Sequence, residues 1–157
     1  MKIYTDGAVS NNGSVNSIGG WAYVIINDDD KIIKSNHGKV NGATNQQMEL
    51  TAVIKACEEN FGNIIQEKNN PFVVIPVQIY CDSAYVVNCF LQNWWTKWEK
   101  NGWQNSKKQS ISNKNLWERL IPFYKKCSIN FIKVKGHTGE DKWNEFVDNL
   151  AVQARLK

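Results

Sequence analysis

"VVIPVQIYCDSAYVV", residues 73 to 87, is the stretch on which the architecture turns. Its β-branched run reads as a buried strand, with Pro76 weakening the first half because proline brings no N–H to a sheet ladder. Directly after Cys81 and Asp82 the pattern becomes helical, with Val87, Phe90 and Leu91 at helical spacing across 83 to 92. An apolar strand feeding straight into a helix is the unit from which parallel, helix-covered sheets are built. Upstream, "KIYT" (2 to 5), "WAYVII" (21 to 26) and "KIIKS" (31 to 35) read as three strands. The last two form most simply a hairpin around "NDDDK", while "NNGSVNSIGG" (11 to 20) reads as a turn-rich loop. A helix opens at Thr44, which makes a capping box with Gln47, and continues through Leu50, Val53, Ile54 and Cys57. Further helices are expected at 93 to 101 and at 113 to 126, the latter with Pro122 as a kink position. "SINFIKV" (128 to 134) is the fifth strand, and Trp143, Phe146, Val147, Leu150, Ala151 and Ala154 form the apolar stripe of a last helix. The order β-β-β-α-β-α-α-α-β-α implies an α/β fold: a five-stranded mixed sheet, three antiparallel strands continued by parallel ones, flanked by about five helices.

Residues 1–157 suit one domain, since a chain of this size buries a core large enough to fold without disulfides or a structural metal. No window approaches the roughly 18 apolar residues of a membrane span. Met1 and Lys2 lead into a strand with no signal-peptide pattern. Cys57, Cys81, Cys89 and Cys127 show no CxxC or CxxH spacing and read as buried free thiols of a reducing compartment. The expectation is a cytoplasmic monomer. With 19 Lys+Arg against 15 Asp+Glu, the net charge of +4 points only weakly to a polyanionic partner.

Four carboxylates stand out on this map. Asp6 ends the first strand, Glu49 lies one turn into the first helix, Asp82 ends the fourth strand, and Asp148 borders the buried stripe of the last helix. Strand ends meeting helix faces are where an open α/β sheet keeps its ligand crevice. Converging carboxylates repel, and divalent ions offset that repulsion; oxygen-only ligation favours magnesium or manganese over zinc. Each residue alone has a plainer reading. Asp82 would cap the helix after it, and Glu49 and Asp148 would be solvated helix positions. His137 in "GHTG" reads by default as a loop histidine, and His37 as structural.

Five motifs in order, "YTDGA", "TNQQMEL", "IYCDSAYVV", "KGHTG" and "NEFVDNLA", resemble ribonuclease H of type 1, the bacterial-type enzyme with a basic protrusion. The resemblance covers nearly the whole chain and implies the ribonuclease H-like fold. It further implies an endoribonuclease that cuts the RNA strand of an RNA/DNA hybrid duplex, leaving 5′-phosphate and 3′-hydroxyl ends. It makes Asp6, Glu49, Asp82 and Asp148 the ligands of two Mg²⁺ ions, with Mn²⁺ able to substitute. Asp6 bridges the ions, Asp148 attends the one that activates water, and Glu49 and Asp82 attend the one at the leaving oxygen. His137 is then an auxiliary catalytic residue. The alternatives are a related-fold DNA nuclease, to be separated by an all-DNA substrate, and an inactive hybrid-binding module.

Substrate contacts follow from the same resemblance. Asn12, Asn45 and Gln46 are candidates for sensing the RNA 2′-OH, although Asn12 in a Gly-rich loop could be a simple turn former. Thr44 is implied to meet a DNA phosphate. "NWWTKWEKNGW" (93 to 103) and the residues after it resemble the protrusion that handles the DNA strand. There Lys97, Lys100, Lys107 and Lys108 would contact phosphates and Trp94 or Trp95 would meet DNA, other indoles holding the protrusion to the body. Ala84 and Gln46 depart from the residues the family pattern leads one to expect. Trp117, between Leu116 and Leu120, is assigned to the core.

Overall fold

The computed structural model describes residues 1–66, 76–136 and 141–157. Strands β1 (Lys2–Ser10), β2 (Ile18–Ile26) and β3 (Ile32–Asn41) precede helix α1 (Asn45–Gln66). Strand β4 (Pro76–Cys81) leads into α2 (Ala84–Leu91), α3 (Trp94–Asn101) and α4 (Lys114–Lys126), and β5 (Ser128–Lys133) leads into α5 (Lys142–Leu156). The strands form one sheet in the order β3-β2-β1-β4-β5. β1 and β2, and β2 and β3, pair antiparallel, whereas β4 pairs parallel with both β1 and β5. This is the expected mixed sheet, and α4 runs through Pro122 as one helix.

Strand alternation splits the core in two. Ile3, Trp21, Tyr23, Ile25, Val77, Ile79 and Phe131 face α1, α2 and α4, where Leu50, Val53, Ile54, Cys57, Val87, Phe90 and Leu120 meet them. Tyr4, Val24 and Ile26 face the other way, onto Val147 of α5. Trp117 is fully buried, and all four free cysteines are buried.

Local chemistry fixes the ends of these elements. The capping box forms reciprocally: Gln47 N–H donates to Thr44 Oγ1 (3.2 Å) and Thr44 N–H donates to Gln47 Oε1 (2.9 Å). In the β2–β3 turn, Asn27 Oδ1 accepts from the N–H groups of Asp29 and Lys31. Asp30 of that turn holds the start of α5, accepting from Trp143 Nε1 at 2.6 Å and pairing with Lys142 Nζ at 2.5 Å.

Two local expectations change. Gly19 and Gly20 belong to strand β2, not to a loop, because they lie where helices press on the sheet from either side. A Cβ on Gly19 would stand 2.6 Å from Met48 Cγ, and one on Gly20 would overlap the Ala151 carbonyl oxygen. On α5, Asn144 is buried on the sheet side while Trp143, Phe146 and Leu150 stay partly exposed. The helix meets a narrow, glycine-bearing strip of sheet, so its smallest residues, Ala151 and Ala154, take the closest contact.

Candidate active site

β1 and β4 run side by side with Thr5 opposite Cys81, so Asp82, the first residue after β4, emerges beside Asp6, which lies in the middle of β1 and not at its end as the sequence suggested, because β1 stays paired with β2 as far as Ser10. Asp82 does not cap α2. Ser83 does, its side chain accepting from Val86 N–H at 3.2 Å, which leaves the Asp82 carboxylate for the crevice. Glu49 arrives from α1 because residue 7 is glycine: a Cβ there would stand 2.5 Å from the Met48 carbonyl carbon and 2.6 Å from Glu49 N. Asp148 arrives from α5, brought down by the bare surface at Gly20. Two glycines on adjacent strands thus draw two helices against opposite faces of the sheet until their carboxyls reach Asp6.

The four acids share a cleft of about 450 Å³ with Gly7, Ala8, Val9, Asn45, Gln46, Ser83, Val152 and Arg155. Asp6 is 2% exposed and Glu49 9%. Burial pushes the Asp6 carboxyl up to about 8, followed by the charge of Asp82 and the hydrogen bond and charge of Asp148; the Gly7 N–H, donating to Asp6 Oδ1 at 2.9 Å, works the other way. Glu49 is likewise raised well above its ordinary value, by burial, then by the charges of Asp6 and Asp82 and a hydrogen bond with Asp6. Glu49 Oε2 is buried with no hydrogen-bond partner. Cys81 Sγ lies within 4.8 Å of ligand oxygens of Glu49 and Asp82, but burial, with the Glu49 charge next, holds its thiol protonated. The four carboxyls of the cleft offer oxygen, which fits hard divalent cations such as Mg²⁺ or Mn²⁺.

The remaining sequence candidates fall in three places. Asn45 and Gln46 line the cleft, and Asn12, outside it, accepts from Asn45 N–H at 3.0 Å, tying the β1–β2 loop to the start of α1. Thr44 is half-buried in its capping box. Lys97, Lys100, Lys107 and Lys108 are exposed on α3 and the loop after it. Glu99, the acid among them, pairs with Lys125 of α4 at 2.8 Å. The indoles of Trp94, Trp95, Trp98 and Trp103 are all partly buried against the core. Trp94 leans on Tyr85 and Trp98, while Trp95 packs edge-on to Tyr124 beneath Lys125. His137 lies outside the described residues, but a Cβ on its neighbour Gly136 would stand 2.8 Å from Asp82 Oδ2.

The sequence reading missed several site residues. Gly7 carried a signal, a glycine directly after the acid in "YTDGA". Asn144, which lines an adjoining pocket with Asp82 and Asp148, and Arg155, in the cleft itself, lie four residues before and seven after Asp148, on one side of the helix, and no local pattern marked them. A second, larger groove of about 900 Å³ crosses α1 along Gln47, Thr51 and Lys55. Lys39 and Trp21 line it on one side and Asn113 and Lys114 on the other, and it contains none of the four carboxylates.

The chain matches the family model described as RNase H over residues 1–155. It is 40% identical over 152 residues to a protein called ribonuclease H from Syntrophomonas wolfei subsp. wolfei, covering 97% of this chain and 93% of that one. A Clostridium botulinum protein of the same name is 38% identical over 152 residues, with 97% and 93% covered. Among solved structures, LC9-RNase H1, a type 1 RNase H with the type 2 active-site motif, shares the fold at a TM-score of 0.75 and 24% identity, covering 98% of this chain and 71% of that one.

Proposed function

The chain belongs to the ribonuclease H family and is a hydrolase that cuts the RNA strand of RNA/DNA hybrids, and we propose that Asp6, Glu49, Asp82 and Asp148 do this work by holding two Mg²⁺ ions. The observation that carries the reading is geometric: four carboxyls from four elements line one cleft, where burial and then the neighbouring acids push Asp6 up to about 8. Bound there, the ions would supply a nucleophile from water at neutral pH and stabilise charge on the departing 3′ oxygen, leaving 5′-phosphate and 3′-hydroxyl ends. Mn²⁺ would substitute in the same oxygen cage.

The protein's own residues position the substrate. Asn45 and Gln46, at the first turn of α1, face the same cleft as the acids and are placed to sense the RNA 2′-OH, with Asn12 holding that turn in place. Thr44 and the groove between Lys39, Lys55 and Lys114 offer the second strand a track on the other side of α1. The lysines at 97, 100, 107 and 108 extend that track onto the protrusion, where Trp94 or Trp95 packs on the DNA. His137 acts as the auxiliary residue, a role supported by the approach of its neighbour Gly136 to the Asp82 carboxylate. The enzyme works as a single domain over residues 1–157, as a monomer in the cytoplasm; no described helix is long and apolar enough to cross a membrane.

The test is cleavage of a labelled RNA/DNA hybrid in Mg²⁺ beside matched RNA/RNA and DNA/DNA duplexes. Cutting of the hybrid's RNA strand alone, with Asp6→Asn inert and His137→Ala slowed but active, is the expected result. Binding without cleavage, or cutting of DNA/DNA, would refute it.

A further inference from the structure

Arg155 has no place in the chemistry above, yet it lines the same cleft as the four acids. It stands seven residues after Asp148 on α5, two turns along the same face and about 10 Å further on. The floor of the cleft advances in step, since β1 from Asp6 to Val9 also spans about 10 Å. Gly20 pairs with Ala8 in the sheet, and a Cβ on Gly20 would stand 3.0 Å from Arg155 N, so the arginine's backbone is clamped directly beside the floor strand. Across from it are Asn45 and Gln46. The cleft is therefore a trough whose α5 wall carries Asp148 and, two turns further on, Arg155.

That guanidinium is unspent. Its Nε is buried with no hydrogen-bond partner, and none of the ion pairs among the described residues includes it. A buried donor without an acceptor is costly unless a ligand supplies one. A guanidinium fork matches a phosphodiester in shape and charge.

We propose that Arg155 grips a phosphate of the RNA strand, within about three nucleotides of the scissile bond at a per-strand rise of 3.4 Å, and so sets the strand's position in the trough. Resting on the ribonuclease reading for its substrate, the assignment adds a binding residue that supplies the only positive charge lining the trough among its described residues. Arg155 acts on binding and register, while the acids act on the bond that breaks.

The experiment measures hybrid affinity by fluorescence anisotropy in an Asp6→Asn background, with and without Arg155→Ala, so binding is read without cleavage. Affinity should fall ten- to a hundredfold, the size expected for one charge-assisted contact, and Arg155→Lys should recover part of it. The salt slope should become shallower by about one phosphate's worth. Hybrids carrying one neutral methylphosphonate at successive RNA positions locate the contact: a single position should weaken the parent protein and leave Arg155→Ala indifferent. In the active enzyme, Arg155→Ala should raise KM with kcat within about twofold. Unchanged affinity and salt slope in Arg155→Ala, or identical methylphosphonate profiles in both proteins, overturns the assignment. Wild-type protein that binds the hybrid and cuts nothing overturns the ribonuclease reading instead, and the binding comparison still decides Arg155.

Discussion

Asp6→Asn should make the metal-free protein increasingly more stable than wild type as the pH rises. Burial and its acidic neighbours lift the Asp6 carboxyl from 3.8 to about 8. Because the folded-state value lies above the unfolded one, the contribution of Asp6 is intact below about pH 4 and drains away as the pH climbs towards 8. At ~1.4 kcal/mol per pH unit, the interval from pH 5 to pH 8 would cost about 4 kcal/mol if Asp6 alone carried the proton. Glu49, hydrogen-bonded to it and also raised, titrates with it as a pair, so the loss does not belong to Asp6 alone and about half is the better expectation. Asparagine keeps the shape and cannot ionise. Between pH 5 and pH 8 in EDTA, the Asp6→Asn protein should therefore gain ~2 kcal/mol on wild type, or about 4 to 8 °C in Tm for a chain of this size. Calorimetry or circular dichroism at the two pH values gives the double difference directly. Saturating Mg²⁺ should restore wild type at pH 8, since a ligand of the ionised carboxylates stabilises only the folded form. A Tm difference between the two proteins that does not grow with pH, or that favours wild type at pH 8 without metal, would refute the account of the cleft as unneutralised acids.

Gly7→Ala should drive α1 off β1, since the new methyl would stand 2.5 Å from backbone carbon of Met48; a stability loss of about 1–3 kcal/mol with a disproportionate fall in kcat is expected, and wild-type kcat would contradict it. Removing Lys97, Lys107 and Lys108 together should flatten the plot of log affinity against log salt by about 2 to 3 units if each meets a phosphate, whereas an unchanged slope would move the DNA strand elsewhere. Tyr85→Phe should lower Tm without altering metal affinity, because the buried Trp117 Nε1 and the Asn113 amide both donate to that hydroxyl, at 3.0 and 3.2 Å; about 1–3 kcal/mol is the usual penalty for an orphaned buried donor.

Much of this protein is legible in one dimension because the relevant signals are local. A capping box at Thr44 and Gln47, a β-branched run before Asp82 and an apolar stripe on the last helix each report a period or a cap; the box formed as expected, the strand formed with alternate rather than continuous burial, and of the stripe Val147, Ala151 and Ala154 are buried while Trp143, Phe146 and Leu150 stay partly exposed. The four acids were nameable for the same reason, as strand-end or helix-edge positions in ordered motifs. What the residues alone left open was whether each acid lies at the crevice, and there the tertiary structure decided. Asp82 is a crevice acid rather than a cap because Ser83 takes the capping bond. Asp6 and Asp82 are neighbours because β1 and β4 happen to pair parallel at Thr5 and Cys81. Glu49 and Asp148 reach them because Gly7 and Gly20 remove side chains on opposite faces of two adjacent strands. Nor does any local pattern foretell that Arg155 shares a trough with Asn45, more than a hundred positions away in the chain. Periodicity and capping depend on neighbours in sequence and can be read from it; proton affinity and an unpaired guanidinium depend on what folding brings close and what water it removes, which only the packed sheet and its two helices determine.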